Sequence, residues 1–315
     1  MNDFIKKIEF DDQLDLRKFL AVFWLNKKFI TIFTTFVAVV SIIYSLTLTN
    51  IYTSQTLITP TSSSSSSLLS QYSGLASMAG INLPQGGGEN QLDVALKLIK
   101  SKKLLGRLML YESFLPDLLA AKRWDTHTNA VIYDGSLYNK KNNKWVRKIS
   151  LPFKQIPSSQ EALGVFSELV SISHDKRTQL ITLDVSHLSP VVAQQWSLWI
   201  IKEINAILAN MQISQSQASI DYLNSQIKIT PYSELRTMFY QLIQESTKSM
   251  MLAEVNPEYV LTTIDPPVIP EIKTQPNRVL IVLFGTLLGG MLSVAVILVR
   301  KFGYNKDNEL DIFNL

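Results

Sequence analysis

The stretch from Ile264 to Lys301 constrains this chain most: Ile264-Asp-Pro-Pro-Val-Ile-Pro270, then Glu271 to Arg278, then an uncharged apolar run from Val279 to Val299 closed by Arg300-Lys301. At about 1.5 Å per helical residue the run matches a hydrocarbon core roughly 30 Å thick, and it predicts a transmembrane helix over 279–299. Pro266, Pro267, Pro270 and Pro276 precede it; they cannot donate to a helix or sheet ladder and predict an extended membrane-proximal segment over 264–278 that ends at Arg278. Within the run, Gly285-Thr-Leu-Leu-Gly289, followed by Gly290 and Ser293, is a small-xxx-small pattern that lets another helix approach closely in lipid. Such a pattern needs a partner helix.

A second apolar run lies near the other end. From Phe29 to Leu48 no residue is charged, and 30–48 is long enough to span. A cleaved signal peptide is the competing reading, but the leader is long and contains acids, and no small-x-small cleavage site follows Leu48. Residues 1–29 are expected to be a cytoplasmic segment whose apolar spacing (Leu16, Phe19, Leu20, Phe23, Trp24) suggests a short amphipathic lead-in. Two spans put both ends on one side. Arg17, Lys18, Lys27 and Lys28 at one end and Arg300, Lys301 and Lys306 at the other make that side cytoplasmic by the positive-inside rule, with 300–315 as the tail and 49–278 exported.

The exported segment has the size of one ordinary domain. Net charge is +4 over the 315 residues, and the basic residues are scattered among nearly as many acids except in short clusters such as Lys100 to Lys103 and Lys140 to Lys148. No basic stripe interleaved with aromatics and no nucleic-acid motif appears, so these clusters read as solvated faces and nucleic acid is not expected as a partner. The absence of cysteine removes disulfides, thiolate metal sites and cysteine nucleophiles from consideration.

Along this segment, Tyr52 to Thr59 predicts a strand ended by Pro60, followed by a low-complexity excursion from Ser62 through Gly86-Gly87-Gly88. Asn90 to Leu110 has helical spacing with Ser101 as an interruption or second cap, and Val131 to Val146 predicts a hairpin or long surface loop. Ser158-Ser-Gln-Glu161 is a capping box opening a helix through Ala162, Phe166, Leu169 and Val170. Thr178 to Ser186 alternates as a half-buried strand, and Ser189-Pro190 opens a long helix.

That helix carries Val192, Trp196, Trp199, Ile200, Ile204, Ile207, Leu208 and Met211, then thins to a seam of Ile213, Ile220, Leu223 and Ile227. From Ser189 to Ile229 it would reach roughly 60 Å, too long for the core of a small domain. Thr230-Pro231 breaks it, and Ser233 is expected to cap a second helix ending near Leu252. A hairpin over about 189–252 and a single kinked rod both fit; the hairpin is preferred because Tyr259 to Ile264 must return the chain to the sheet. The seam suggests contacts between subunits, with packing inside the hairpin as the alternative. The expected fold class is α+β: two transmembrane helices flanking an exported α/β base with a long projecting helical hairpin, periplasmic if the membrane is a bacterial inner one.

No chemistry emerges. Histidines 127, 174 and 187 lack metal-ligand spacing, no nucleophile elbow or Asp-x-Asp pair is present, Glu254 and Glu258 are separated by Asn256-Pro257, and neither apolar run carries an ionisable group. The expectation is no enzyme, no catalytic or metal site and no cofactor.

The order of these features resembles the Wzz-type polysaccharide chain-length determinants, or polysaccharide co-polymerases. Asp15-Leu16 with Trp24 is similar to that family's lead-in to its first span; Lys144-Trp145-Val146-Arg147 with Pro157-Ser158-Ser-Gln160-Glu161-Ala162 is similar to its linker and capped helix. Lys176 to Val185, Ser189-Pro190 and Trp196 resemble its strand and long helix, and Asp265 to Pro270 with Pro276-Asn277-Arg278 resembles its proline motif.

The resemblance implies a homo-oligomer in a bacterial inner membrane, acting with a membrane-embedded polysaccharide polymerase, and with the growing glycan as a further contact, to set the modal length of O-antigen or a related glycan. One branch of the family carries a cytoplasmic tyrosine kinase. Only Arg300 to Leu315 follow the second span, so a kinase-lacking member is expected. An inner-membrane adaptor for polysaccharide export, with the hairpin docking on an outer-membrane conduit, is the alternative; a two-span sensor ectodomain is a third reading.

Overall fold

The computed structural model describes residues 24, 26–61, 88–150 and 152–310. The lead-in around Asp15 and Leu16 and the excursion from Ser62 to Gly87 lie outside the described residues. The chain divides into two compact units, residues 1–49 with 276–315, and residues 50–275.

The first unit is a pair of apolar helices, α1 (Lys27–Thr47) and α8 (Arg278–Leu310). Both are long and apolar enough to cross a membrane, α8 over Arg278–Arg300. They run antiparallel, since Gly285 lies against Ser41 and Gly289, one turn further on, against Val37, one turn back. Both chain ends therefore leave at the same end of the pair. α8 starts one residue before the apolar run and continues past Val299 to Leu310, a stretch with no proline to stop it.

The second unit is built on a four-stranded antiparallel sheet in the order β6-β7-β1-β8, comprising β1 (Tyr52–Pro60), β6 (Val170–Asp175), β7 (Leu180–His187) and β8 (Leu261–Asp265). Period-two alternation sets its faces. Ser54, Thr56 and Ile58 of β1 stand opposite Val185, Leu183 and Ile181 of β7, and all six are buried. On the other face Thr53 and Ser186 share a hydroxyl hydrogen bond of 2.9 Å, and the Gln55 amide donates to Asp184 at 3.1 Å.

The buried face is covered by the first half of α6 (Pro190–Ile229), which packs on β1 and β7 through Val192, Trp196, Ile200 and Ile204. Shorter helices close the core: α2 (Gly88–Leu98), α3 (Lys102–Leu108), α4 (Phe114–Leu119) and α5 (Ser159–Leu169). Phe114 sits between Trp196 and Phe166, with ring centroids 4.8 and 5.9 Å away. Full burial of such side chains contributes roughly 1.5–3 kcal/mol each.

Local signals explain most boundaries. The Ser101 hydroxyl accepts from Leu104 N–H and splits the helical stretch into α2 and α3. Ser158 and Glu161 form the reciprocal capping box, and Ser189 with Pro190 at N1 opens α6. Other boundaries depart from the sequence reading. Val170 is not helical: α5 runs into β6 with no loop, so the last helical period and the first strand alternation overlap at that residue. Strand β6 itself was not anticipated.

The hairpin expected over 131–146 is two: β2 (Ala121–Asp125) with β3 (Ala130–Tyr133), and the short β4 (Tyr138–Asn139) with β5 (Lys144–Trp145). Ser233 is the first residue of α7 (Ser233–Val255) rather than its cap; Tyr232 holds the cap position without a side-chain hydrogen bond, and the helix reaches Val255.

Candidate functional site

Among the described residues of the base, buried ionisable side chains fall in two clusters. In one, Tyr133 donates to the Asp117 carboxylate at 2.6 Å, and His187 Nε2 lies 3.0 Å from the Asp117 carbonyl oxygen. His187 Nδ1 accepts from the Ser189 N–H at 3.0 Å, so Nε2 carries the proton and donates to that carbonyl. Burial pushes the Asp117 carboxyl up and the His187 imidazole down, favouring the neutral form of each. With both ring nitrogens bonded to backbone, His187 has no free atom for proton transfer.

In the other cluster the buried Glu203 receives Arg107 Nε and Tyr111 OH, each at 2.8 Å, and Tyr111 stacks on Trp199. Its carboxylate is fully engaged, and it ties α3 to α6. Among the described residues no group of three or more His, Cys, Asp or Glu could hold a metal ion.

Mechanical features are better defined. On α8 the covered positions Gly285, Gly289, Ser293 and Ile297 recur every four residues. A Cβ at Gly285 would fall on the Ser41 hydroxyl and 2.8 Å from Ser41 Cβ; one at Gly289 would lie 2.8 Å from Val37 Cβ. Gly290 is looser, with Thr34 Oγ1 at 3.9 Å, and Ser293, fully buried, donates to the Gly290 carbonyl at 2.7 Å. The partner of the small-xxx-small face is thus α1 of the same chain, through Thr34, Val37 and Ser41. The sequence reading named only the α8 side. Thr34, Ser41 and Ser45, seven and four residues apart in an apolar run, are the signal that could have found the other.

The proline segment runs back along β1. Val268 O accepts from the Ser54 hydroxyl and Pro267 O from the Gln194 amide in the first turns of α6, each at 2.9 Å. Pro267 is buried, Pro270, Pro276 and Arg278 are half-buried, and Pro266 is exposed. The segment finishes as a bridge in which Ile51 N–H donates to Gln275 O and Thr274 N–H to Ile51 O, both at 2.9 Å. The two passages of chain that lead to α1 and α8 are therefore hydrogen-bonded to each other.

The arm is a helical hairpin. Beyond the base, Leu223 is buried against Phe239 and Leu242 of α7, with Ile227 and Ile243 packed alongside. Ile213 and Ile220 are half-buried on α6. At the turn, Ile229 and Tyr232 are 72% and 68% exposed, leaving an apolar tip. Asn205, unmarked in the sequence reading, anchors the return of the chain: buried on α6, its Oδ1 accepts from Val260 and Leu261 N–H at 3.0 and 2.9 Å and its Nδ2 donates to Leu261 O at 2.9 Å.

The described residues thus form an α+β base with a 40-residue helix feeding a hairpin arm, and a separate antiparallel pair of helices long and apolar enough to cross a membrane. Residues 12–110 match the family described as chain length determinant protein, Wzz, and residues 234–302 match GNVR, the G-rich domain described on tyrosine kinases. The second match contains all of α7 but its first residue, the proline segment, Gly285 and Gly289. The chain therefore carries a Wzz chain length determinant domain and a GNVR domain. Solved structures similar to it include a full-length bacterial polysaccharide co-polymerase (15% identity, 93% of this chain and 99% of that chain, TM-score 0.37). Another is a fragment of WzzB, the polysaccharide co-polymerase of Salmonella Typhimurium (12% identity, 72% and 100%, TM-score 0.31). No curated protein sequence matches this chain.

Proposed function

We propose that this protein is a non-enzymatic co-polymerase. Copies of the chain assemble in the bacterial inner membrane and act with a separate, membrane-embedded polymerase to set the modal length of O-antigen or a related surface polysaccharide. Both termini lie in the cytoplasm and the base and arm in the periplasm. The observation that carries this reading is the chain length determinant domain over residues 12–110, continuous from the first membrane-length helix into the sheet. Further support comes from the antiparallel helix pair and the bridge at Ile51 and Gln275, which join one end of the sheet to both helices through short passages of chain.

In this mechanism the protein contributes geometry. Pro266, Pro267, Pro270 and Pro276 hold the passage to Arg278 extended, so a shift of the α1–α8 pair reaches β1 and the foot of α6 without being absorbed by a flexible linker. The arm, with its seam of Ile213, Ile220, Leu223 and Ile227, extends the assembly away from the base. A second reading, an export adaptor, is favoured by the exposed apolar tip at Ile229 and Tyr232, which suits docking on another protein.

A gel ladder of surface polysaccharide with and without the gene tests both. Loss of the preferred length with chains retained supports a length regulator. Loss of surface polysaccharide with precursor held inside supports the adaptor. An unchanged ladder refutes both.

A further inference from the structure

Between Ala121 and Lys148 the chain carries seven Lys and Arg against two Asp, a net charge of +5 where the whole protein carries +4. Read as sequence, Lys140 to Lys148 is a solvated face. The fold gathers it with a second basic hairpin. Lys122 and Arg123 lie on β2, Lys140 and Lys141 in the β4–β5 turn and Lys144 on β5, all exposed.

Two nearby acids, Asp125 beside Arg123 and Asp134 beside Lys122, are held chiefly by local hydrogen bonds. Asp125 accepts from His127 N–H and the Thr128 hydroxyl, Asp134 from Ser136 N–H and its hydroxyl, and those hydrogen bonds hold both carboxyls below the usual range. Arg147 is taken by Glu161 in a two-pronged pair. Lys122, Arg123, Lys140, Lys141 and Lys144 form no ion pair with a described residue.

Contacts place both hairpins at one end of the sheet. Trp124 packs edge-on against Tyr52 at 5.3 Å. Tyr133 bonds Asp117, whose carbonyl holds His187, the register partner of Tyr52. Lys140 Nζ stands 5.3 Å over the Tyr133 ring, and Tyr138 is 5.5 Å from Tyr133.

That same end holds the Ile51–Gln275 bridge. Only Leu48, Thr49 and Asn50 separate Ile51 from the end of α1, and only Pro276 and Asn277 separate Gln275 from Arg278. At about 3.5 Å per residue the two tethers reach at most about 14 and 10 Å. The headgroup layer extends roughly 5–8 Å beyond the hydrocarbon core. If α1 and α8 span, as the proposed function holds, this end of the base cannot leave the lipid surface.

We propose that the two basic hairpins form a seat on anionic phospholipid headgroups of the bilayer that α1 and α8 cross, with Lys122, Arg123, Lys140, Lys141 and Lys144 on lipid phosphates. The seat fixes the tilt of the base, and hence the direction of the arm, which two short tethers alone leave free to rock. A lipid surface is favoured over a soluble polyanion because the tethers keep it within reach at all times.

The chain contains no cysteine, so single cysteines at Thr126, Asn142 and, as a distant reference, Tyr232 can be labelled with a fluorophore in the full-length protein. The protein is placed in nanodiscs of phosphatidylcholine with or without phosphatidylglycerol, and quenching by a headgroup spin-labelled lipid is read. Labels at Thr126→Cys and Asn142→Cys are quenched strongly when the anionic lipid is present, and the label at Tyr232→Cys is not.

Each lysine near an anionic surface is worth a factor of about five, so Lys140→Glu, Lys141→Glu and Lys144→Glu together lower the docking constant by about a hundredfold or more. The corresponding Gln variants, which add no new charge, lower it in the same direction. Quenching that is indifferent to phosphatidylglycerol, or to the triple substitution, overturns the proposal. So does the absence of quenching in either disc, the result expected if a glycan or a protein occupies this surface. A chain that fails to enter the discs refutes the spanning reading instead.

Discussion

Replacing Gly289 with leucine brings a Cβ to 2.8 Å from Val37 Cβ, with Val37 Cγ1 at 3.0 Å, before any further carbon is accommodated. Carbon atoms in contact prefer about 3.5–4.0 Å, so α1 and α8 must part by close to an ångström or more at that turn. Apolar burial does not hold helices together in lipid, so the lost packing has no compensation from that source. Overpacking of this kind costs about 1–3 kcal/mol, which lowers the closed population of the pair by roughly five- to 150-fold. Gly290→Ala is the internal control, because its Cβ meets only Thr34 Oγ1 at 3.9 Å.

Ser41→Cys with Gly285→Cys reports the pairing directly in membranes. A disulfide asks for Cβ atoms about 3.5–4.5 Å apart, so a small outward relaxation permits the bond and yields an internally looped monomer on a non-reducing gel. Adding Gly289→Leu should suppress that band and adding Gly290→Ala should not. In the organism, Gly285→Leu with Gly289→Leu should shift the modal length while the melting of the base is unchanged. Equal cross-linking in the Gly289→Leu background, or a dimer band in place of the looped monomer, refutes the intrachain pairing.

Asn205→Ala leaves the Val260 and Leu261 N–H groups and the Leu261 carbonyl without their side-chain partner; at about 1 kcal/mol per hydrogen bond the base should lose about 3 kcal/mol in urea unfolding, and a much smaller loss shows that Asn205 is not the anchor. Gln179 sits at φ 58° in the β6–β7 turn, where a side chain costs about 1–2 kcal/mol; Gln179→Gly should raise the melting temperature, the gain reduced by losing the bond from Gln179 Nε2 to Lys176 O. His187 is held neutral by burial, so its contribution to stability is complete above its unfolded value of about 6.5 and falls as pH drops below it. His187→Gln should flatten that part of the pH–stability curve, with Asp117, pushed up by burial, acting in the opposite sense at lower pH.

What could be read from sequence was whatever local chemistry dictates. Ser158 with Glu161, Ser189 with Pro190 and the alternation through Ile181, Leu183 and Val185 each encode their element within a few residues, and the structure places all three as expected. The boundary at Val170 failed because two periodicities share the residue. The hairpin from Ala121 to Tyr133 was missed because its turn is built from Asp125, Thr128 and the left-handed Asn129 rather than from glycine or proline. The same design recurs at Asp175, Thr178 and Gln179, so an Asp followed three residues later by Thr between apolar stretches is a usable signal in this chain. What no local pattern could supply is pairing at long range. Gly285 announces a close approach but not Ser41, 244 positions earlier; Asn205 is an unremarkable helix residue until β8 arrives. The hydrogen bonds that Ile51 makes with Thr274 and Gln275 are the sharpest case, because their donors and acceptors are backbone groups that carry no sequence signal at all, yet they join two passages of chain more than 220 residues apart.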